Sequence, residues 1–149
     1  MGEWFYAGGF INRTTPVIAT PGNHEYFKEE GENGEYKTYH LTDHWRPTFT
    51  FPEHGPSELE ESVYFIDYQD VRIISMNSNE RLDEQALWLE KVLSDNPNHW
   101  TILTFHHPVY SLKRVVTTRP FVKSGNLSSI NLKSTWFCRD MTILIPEPS

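Results

Sequence analysis

One cysteine, Cys138, is all the chain holds, so no internal disulfide can form. No apolar run approaches the ~20 residues that a bilayer-spanning helix requires. Residues 1–15 lack the basic head and apolar centre of a signal peptide. Positive charge is scarce: 13 Lys and Arg stand against 20 Asp and Glu, leaving −7. With a pI near 5.4, nothing marks a nucleic-acid footprint. No internal repeat is present. These absences exclude a disulfide scaffold, a membrane span, a solenoid and a basic nucleic-acid binder. What is present is ordinary for a globular chain: 149 residues, 38% hydrophobic and 14% aromatic, enough for one core and too apolar for disorder.

Along the chain, "GEWFYAGGFINRTT" is aromatic-rich and reads as a helix weakened by Gly8-Gly9. "PVIAT" then reads as a short buried strand. Residues 28–56 form a polar stretch with interspersed aromatics, too long for an ordinary loop; an insertion or an active-site surface is expected there. "SVYFIDYQDVRIISMNS" predicts two strands around a Gln69-Asp70 turn. "LDEQALWLEKVLSDN" predicts a helix with Leu82, Ala86, Leu89 and Leu93 on one face, acids early and Lys91 late, stopped by Asn96-Pro97. "WTILTF" predicts a further buried strand. Strand, hairpin, helix and strand in that order describe a layered α/β domain with helices packed on a sheet.

Two polar clusters are expected just beyond strand ends: Asn23-His24-Glu25 after "PVIAT", and His106-His107 after "WTILTF". Strand ends are where α/β folds gather their ligand sites. Gly-Asn-His alone is also an ordinary turn, and His-His-Pro an ordinary strand end. Their conjunction points to chemistry. An amide oxygen and a neutral imidazole suit borderline divalent or trivalent metals. A second imidazole beside them can hold a proton for a leaving group.

"PGNHEYF" and "ILTFHHPVYS", in that order and separation, resemble the calcineurin-like metallophosphoesterases. With "GEWFYAGGFIN" upstream, residues 2–114 look most similar to the bacterial purple-acid-phosphatase-like branch. The resemblance implies an αββα sandwich holding two metal ions (Fe, Zn or Mn) that share a bridging aspartate and hydrolyse a phosphate ester. It implies that Asn23 and His106 bind the same metal, and that His24 is the acid that protonates the leaving alkoxide. It makes Glu25 a support for the ligands and leaves His107 to orient substrate or ligand. Paired cations lower the pKa of bound water and neutralise developing oxygen charge. Export to the periplasm or medium is what the resemblance implies for a full-length parent.

The same family carries an Asp-x-His and a Gly-Asp-x-x-Asp or Gly-Asp-x-x-Tyr before the Gly-Asn-His segment, and residues 1–15 match neither. The chain is therefore expected to start inside its domain, with Met1 an internal start or a fragment boundary, and to show little or no catalysis by itself. A final Gly-His-x-His is expected after the His-x-Pro strand, and residues 115–149 lack it. Shifting the reading by one base permits it. Trp136-Phe137 must then give Val, Phe137-Cys138 Leu and Met141-Thr142 Asp, whichever synonymous codons are used. Around these, permitted codons read Val-Leu-Gln-Gly-His-Asp-His-Thr-Tyr-Ser-Arg across residues 136–147. The expected division is a partial metallophosphoesterase domain over residues 1–114 and an out-of-frame tail over 115–149.

Alternatives from other classes are a non-catalytic remnant, and a binding module whose Tyr39, Trp45, Phe49 and Phe51 form a carbohydrate or protein contact surface. His40, His44, His54 and His99 are expected at the surface rather than on a metal. His40 and His44, four apart in sequence, would share an ion only on a helix.

Overall fold

The computed structural model describes residues 6–30, 36–107, 135–139 and 142–144. In chain order these form α1 (Ile11–Thr14), a 3-10 turn (Asn23–Glu25), β1 (Tyr26–Glu30), β2 (Tyr36–Leu41), α2 (Trp45–Thr48), β3 (Tyr64–Tyr68), β4 (Val71–Ser75), α3 (Leu82–Ser94), β5 (Trp100–Thr104), β6 (Thr135–Arg139) and β7 (Thr142–Leu144). The class is mixed α/β, with two sheets and a few helices, as the sequence led us to expect. β1 and β2 pair antiparallel in a two-stranded sheet, and the other strands form a five-stranded sheet of order β3-β4-β5-β6-β7.

Alternation of apolar and polar residues makes β3 and β4 a hairpin, with Tyr64 opposite Ser75 and Tyr68 opposite Val71. Gln69 closes the turn at φ +53°, in the left-handed region that a tight reversal requires. From β4 the chain crosses through α3 to β5, which returns parallel to β4 with Ser75 beside Thr104. The helix buries Gln85, Ala86, Leu89 and Val92, while Leu82 and Leu93 flank them half-buried. Val92 rather than Leu93 thus takes the deep position. Leu89 and Val92 meet Ile74, Met76, Leu103 and Phe105 from the sheet, with Leu59 and Val63 closing the core. Each such side chain contributes about 1.5–3 kcal/mol on burial.

An ion pair locks this unit from outside. The Arg72 guanidinium donates to both Asp67 oxygens at 2.8 and 2.7 Å, and to the Val92 carbonyl at 2.8 Å. It also lies 4.2 Å from the centre of the Phe65 ring. One residue therefore ties the hairpin to the last turns of α3.

The structure corrects the sequence reading at several places. "PVIAT" is not a strand: residues 16–22 run without ladder pairing, and Val17 is 37% exposed. Its β-branched residues find no neighbouring strand, and side-chain bonds seat the segment across strand ends instead. The polar stretch of residues 28–56, expected as an insertion or an active-site surface, holds secondary structure that its sequence did not announce: the end of β1, all of β2, and α2. The expected aromatic contact surface is internal. Trp45 is 2% exposed and its indole N–H donates to the Glu61 carbonyl, while Phe49 and Phe51 stack in sequence between Trp45 and the buried Tyr64. The side chain of Tyr39 lies outside the described residues. The opening helix is broken at Gly9, at φ +42°, leaving α1 as a short piece. Most of the expected out-of-frame tail lies outside the described residues, which include only the backbones of β6 and β7 from it.

Candidate active site

β4 and β5 end side by side, and the chain leaves both at the same edge of the sheet. Residues 16–22 cross this edge. The buried Tyr64 hydroxyl donates to the Ala19 carbonyl at 2.7 Å, and its burial holds the phenol neutral far beyond the usual range. Thr20 Oγ1 lies 3.0 Å from Ser75 Oγ and 3.3 Å from Thr104 Oγ1, so one hydroxyl bridges the ends of both parallel strands. One step on, the Pro21 carbonyl accepts from Asn79 Nδ2 at 3.0 Å. These bonds deliver the Asn23–Glu25 turn to the strand ends.

The turn closes on itself: Gly22 N–H donates to the Glu25 carboxylate at 2.8 Å. Glu25 also offers its carbonyl to Thr42 N–H at 2.8 Å, joining the turn to the chain beyond β2. Across 83 residues of sequence, His106 Nε2 meets Asn23 Oδ1 at 3.0 Å. An amide oxygen only accepts, so without a metal His106 holds a hydrogen on Nε2 toward Asn23, and an ion seated between the two would replace it. Gly22 makes the approach possible. A Cβ there would stand 3.0 Å from His106 Nδ1 and 3.0 Å from the Glu25 carboxylate.

His107 is held by Ser78, which is 7% exposed. Its backbone N–H donates to Ser78 Oγ at 3.0 Å, and its Nδ1 lies 2.9 Å from that oxygen and 3.1 Å from the Ser78 carbonyl. The two imidazoles meet edge to face with centroids 5.0 Å apart. His24 is exposed on the turn. The structure therefore brings Asn23, Glu25, His106 and His107 together around one edge, with His24 beside them. His44, His54 and His99 are exposed and His40 half-buried. His40 sits on β2 and His44 beyond it, so no helix aligns them.

The segment 77–79 was not singled out from sequence, although it bears the same signal as the chosen clusters: polar residues directly beyond an apolar strand. Gln85, fully buried, accepts from Asn77 N–H at 3.0 Å and donates to the Asn77 and Glu80 carbonyls at 2.7 and 2.6 Å. Asn77 Nδ2 donates to the Tyr26 hydroxyl at 2.5 Å, and that hydroxyl donates to Glu80. Beyond Glu80 opens a cleft of about 370 Å³ lined by Asp43, Glu58 and Glu60 as well as Arg46. Its carboxylates would repel a phosphate group.

Among the described residues no cluster of three or more His, Cys, Asp or Glu side chains stands ready to hold an ion. The Asn23–His106 pair nonetheless fits part of a metal shell. An oxygen and an imidazole nitrogen are suitable donors, and adjacent ligands on bonds of about 2.1 Å stand about 3 Å apart. Nearby, Asn79 gives its amide hydrogens to Pro21 and Asn77, while its own buried Oδ1 has no hydrogen-bond partner among the described residues. Such an oxygen calls for a donor or a cation.

The model of the calcineurin-like phosphoesterase family matches residues 3–133, most of the chain. No curated protein and no solved structure matches it.

Proposed function

Because the chain belongs to the calcineurin-like phosphoesterase family, whose members are metal-dependent hydrolases, we propose that it carries part of a dinuclear phosphomonoesterase site of the purple-acid-phosphatase-like branch. The observation that supports this most is the meeting of Asn23 Oδ1 and His106 Nε2 at 3.0 Å from two distant segments. In this reading Asn23 and His106 are ligands of one ion. When bound, a metal pair supplies an activated water and neutralises charge on the phosphoryl oxygens. The rest falls to the chain's own side chains. His24, exposed one residue after Asn23, is the proton donor to the leaving alkoxide. Glu25 holds the turn by accepting Gly22 N–H, so that Asn23 keeps its place. Iron, zinc and manganese all suit such donors.

Two protein donors hold a metal weakly, so this polypeptide alone is expected to hydrolyse phosphomonoesters slowly. The test joins metal titration to hydrolysis of p-nitrophenyl phosphate. We expect micromolar or weaker zinc binding that Asn23→Ala reduces about tenfold or more, and hydrolysis that falls at least about a hundredfold in His24→Ala while zinc binding is kept. Zinc binding indifferent to Asn23 and His106 would sink the assignment.

A further inference from the structure

We propose that His107 is a third protein donor to this metal site, through Nε2, and that Ser78 is the residue that positions it. The inference rests on the reading of Asn23 and His106 as ligands. Its starting point is the tautomer. His107 Nδ1 faces two oxygens of Ser78, the hydroxyl at 2.9 Å, which can donate or accept, and the carbonyl at 3.1 Å, which only accepts. A bare ring nitrogen there would set two lone pairs against each other, so Nδ1 carries the hydrogen and Nε2 the lone pair. The Ser78 hydroxyl accepts the His107 backbone N–H at 3.0 Å, which fixes the residue at both backbone and ring.

That tautomer separates the roles open to His107. A phosphate oxygen needs a donor, and a lone pair repels it. A cation needs a lone pair. A ring whose far N–H is tied to a backbone carbonyl is the usual arrangement of a metal-binding histidine, because the carbonyl fixes orientation and raises basicity. The two rings, 5.0 Å apart between centroids, belong to consecutive residues at one strand end. Ser78 is itself fixed. It follows Asn77, whose N–H and carbonyl are both bound by the buried Gln85, and precedes Asn79, which reaches the Pro21 carbonyl. One polar segment therefore braces both the Asn23 turn and His107.

Nitrogen-15 NMR of the histidine rings in the full chain, with zinc as the probe, tests this directly. We expect His107 to show the Nδ1–H tautomer without metal. On zinc addition, Nε2 of His106 and of His107 should shift together, with the His107 Nδ1–H retained. His107→Gln should weaken zinc about tenfold or more. Ser78→Ala should weaken it about tenfold in the natural background and not at all in the His107→Gln background. A purely structural serine would cost the same in both. If zinc moves the His106 ring and leaves His107 untouched, His107 is no ligand although the site reading stands. If neither ring moves at zinc saturation, both fail together. An Nε2–H tautomer that persists with zinc bound also overturns the proposal, and this needs only the natural chain should a variant not fold.

Discussion

The close approach at Gly22 makes one backbone position answerable for the site. A methyl group there would meet the His106 ring and the Glu25 carboxylate, both at 3.0 Å. Each belongs to a side-chain end that can give by a few tenths of an ångström, so the fold should survive. Gly22→Ala is expected to cost no more than about 1–2 kcal/mol in a urea titration, yet to weaken zinc about tenfold by moving His106 off its partner. Equal losses in both measurements would show that His106 is packed rather than poised. The meeting of Asn23 and His106 could be expected at this scale, because each polar residue stands directly after an apolar run. Ser78 and Asn79 stood in the same relation to β4. They were passed over because serine and asparagine also make plain turns, and only the fold shows which carbonyls they serve.

Among the elements, those with local rules were readable and those that depend on distant partners were not. The β3–β4 hairpin follows from alternation and a polar pair, and α3 from its apolar spacing. "PVIAT" has strand-forming residues, but a strand needs a neighbour. Its role is set by Tyr64, Ser75 and Thr104, which lie 45, 55 and 84 residues away from their partners in it. The β1–β2 hairpin was hidden in a stretch whose charges broke the alternation. Gln85 joins elements in a way no period reveals: it serves three backbone groups from inside α3. Gln85→Leu keeps the volume and strands those groups, so unfolding free energy should fall by about 2–4 kcal/mol. Asp67 gives a pH-dependent case. Hydrogen bonds from Arg72 hold its carboxyl below the ordinary range. A depressed folded pKa stabilises above the unfolded value near ~3.9, and that gain is lost as pH falls through the folded value. Urea midpoints between about pH 5 and pH 2 should therefore drop more steeply for the natural chain than for Asp67→Asn. At pH 7 that variant should lose about 2 kcal/mol, less than a fully buried pair, because Asp67 keeps 38% of its side chain exposed.

For the molecule as a whole, we propose that a one-base shift near Arg114 has the widest reach, since it would permit a Gly-His-x-His that the sequence as given lacks. Sequencing the source DNA through that codon checks it. A chain re-read from Arg114 in the shifted frame is expected to bind zinc at least about tenfold more tightly than this one. Equal affinity would leave the altered tail without a metal role. The long sequence separation of Asn23 and His106 has a further meaning in polymer terms. In the unfolded chain these residues are two beads on a flexible string, and an ion gripping both would close a large ring. Closing a ring of that size would cost the unfolded chain about 4–5 kcal/mol of entropy, so the ion favours the folded chain alone and stabilises it by mass action, about 2.7 kcal/mol at a hundred times its Kd. Metal at this edge of the sheet would then act as a staple on the chain as well as a reagent, and heat or urea would report its arrival before any substrate was added.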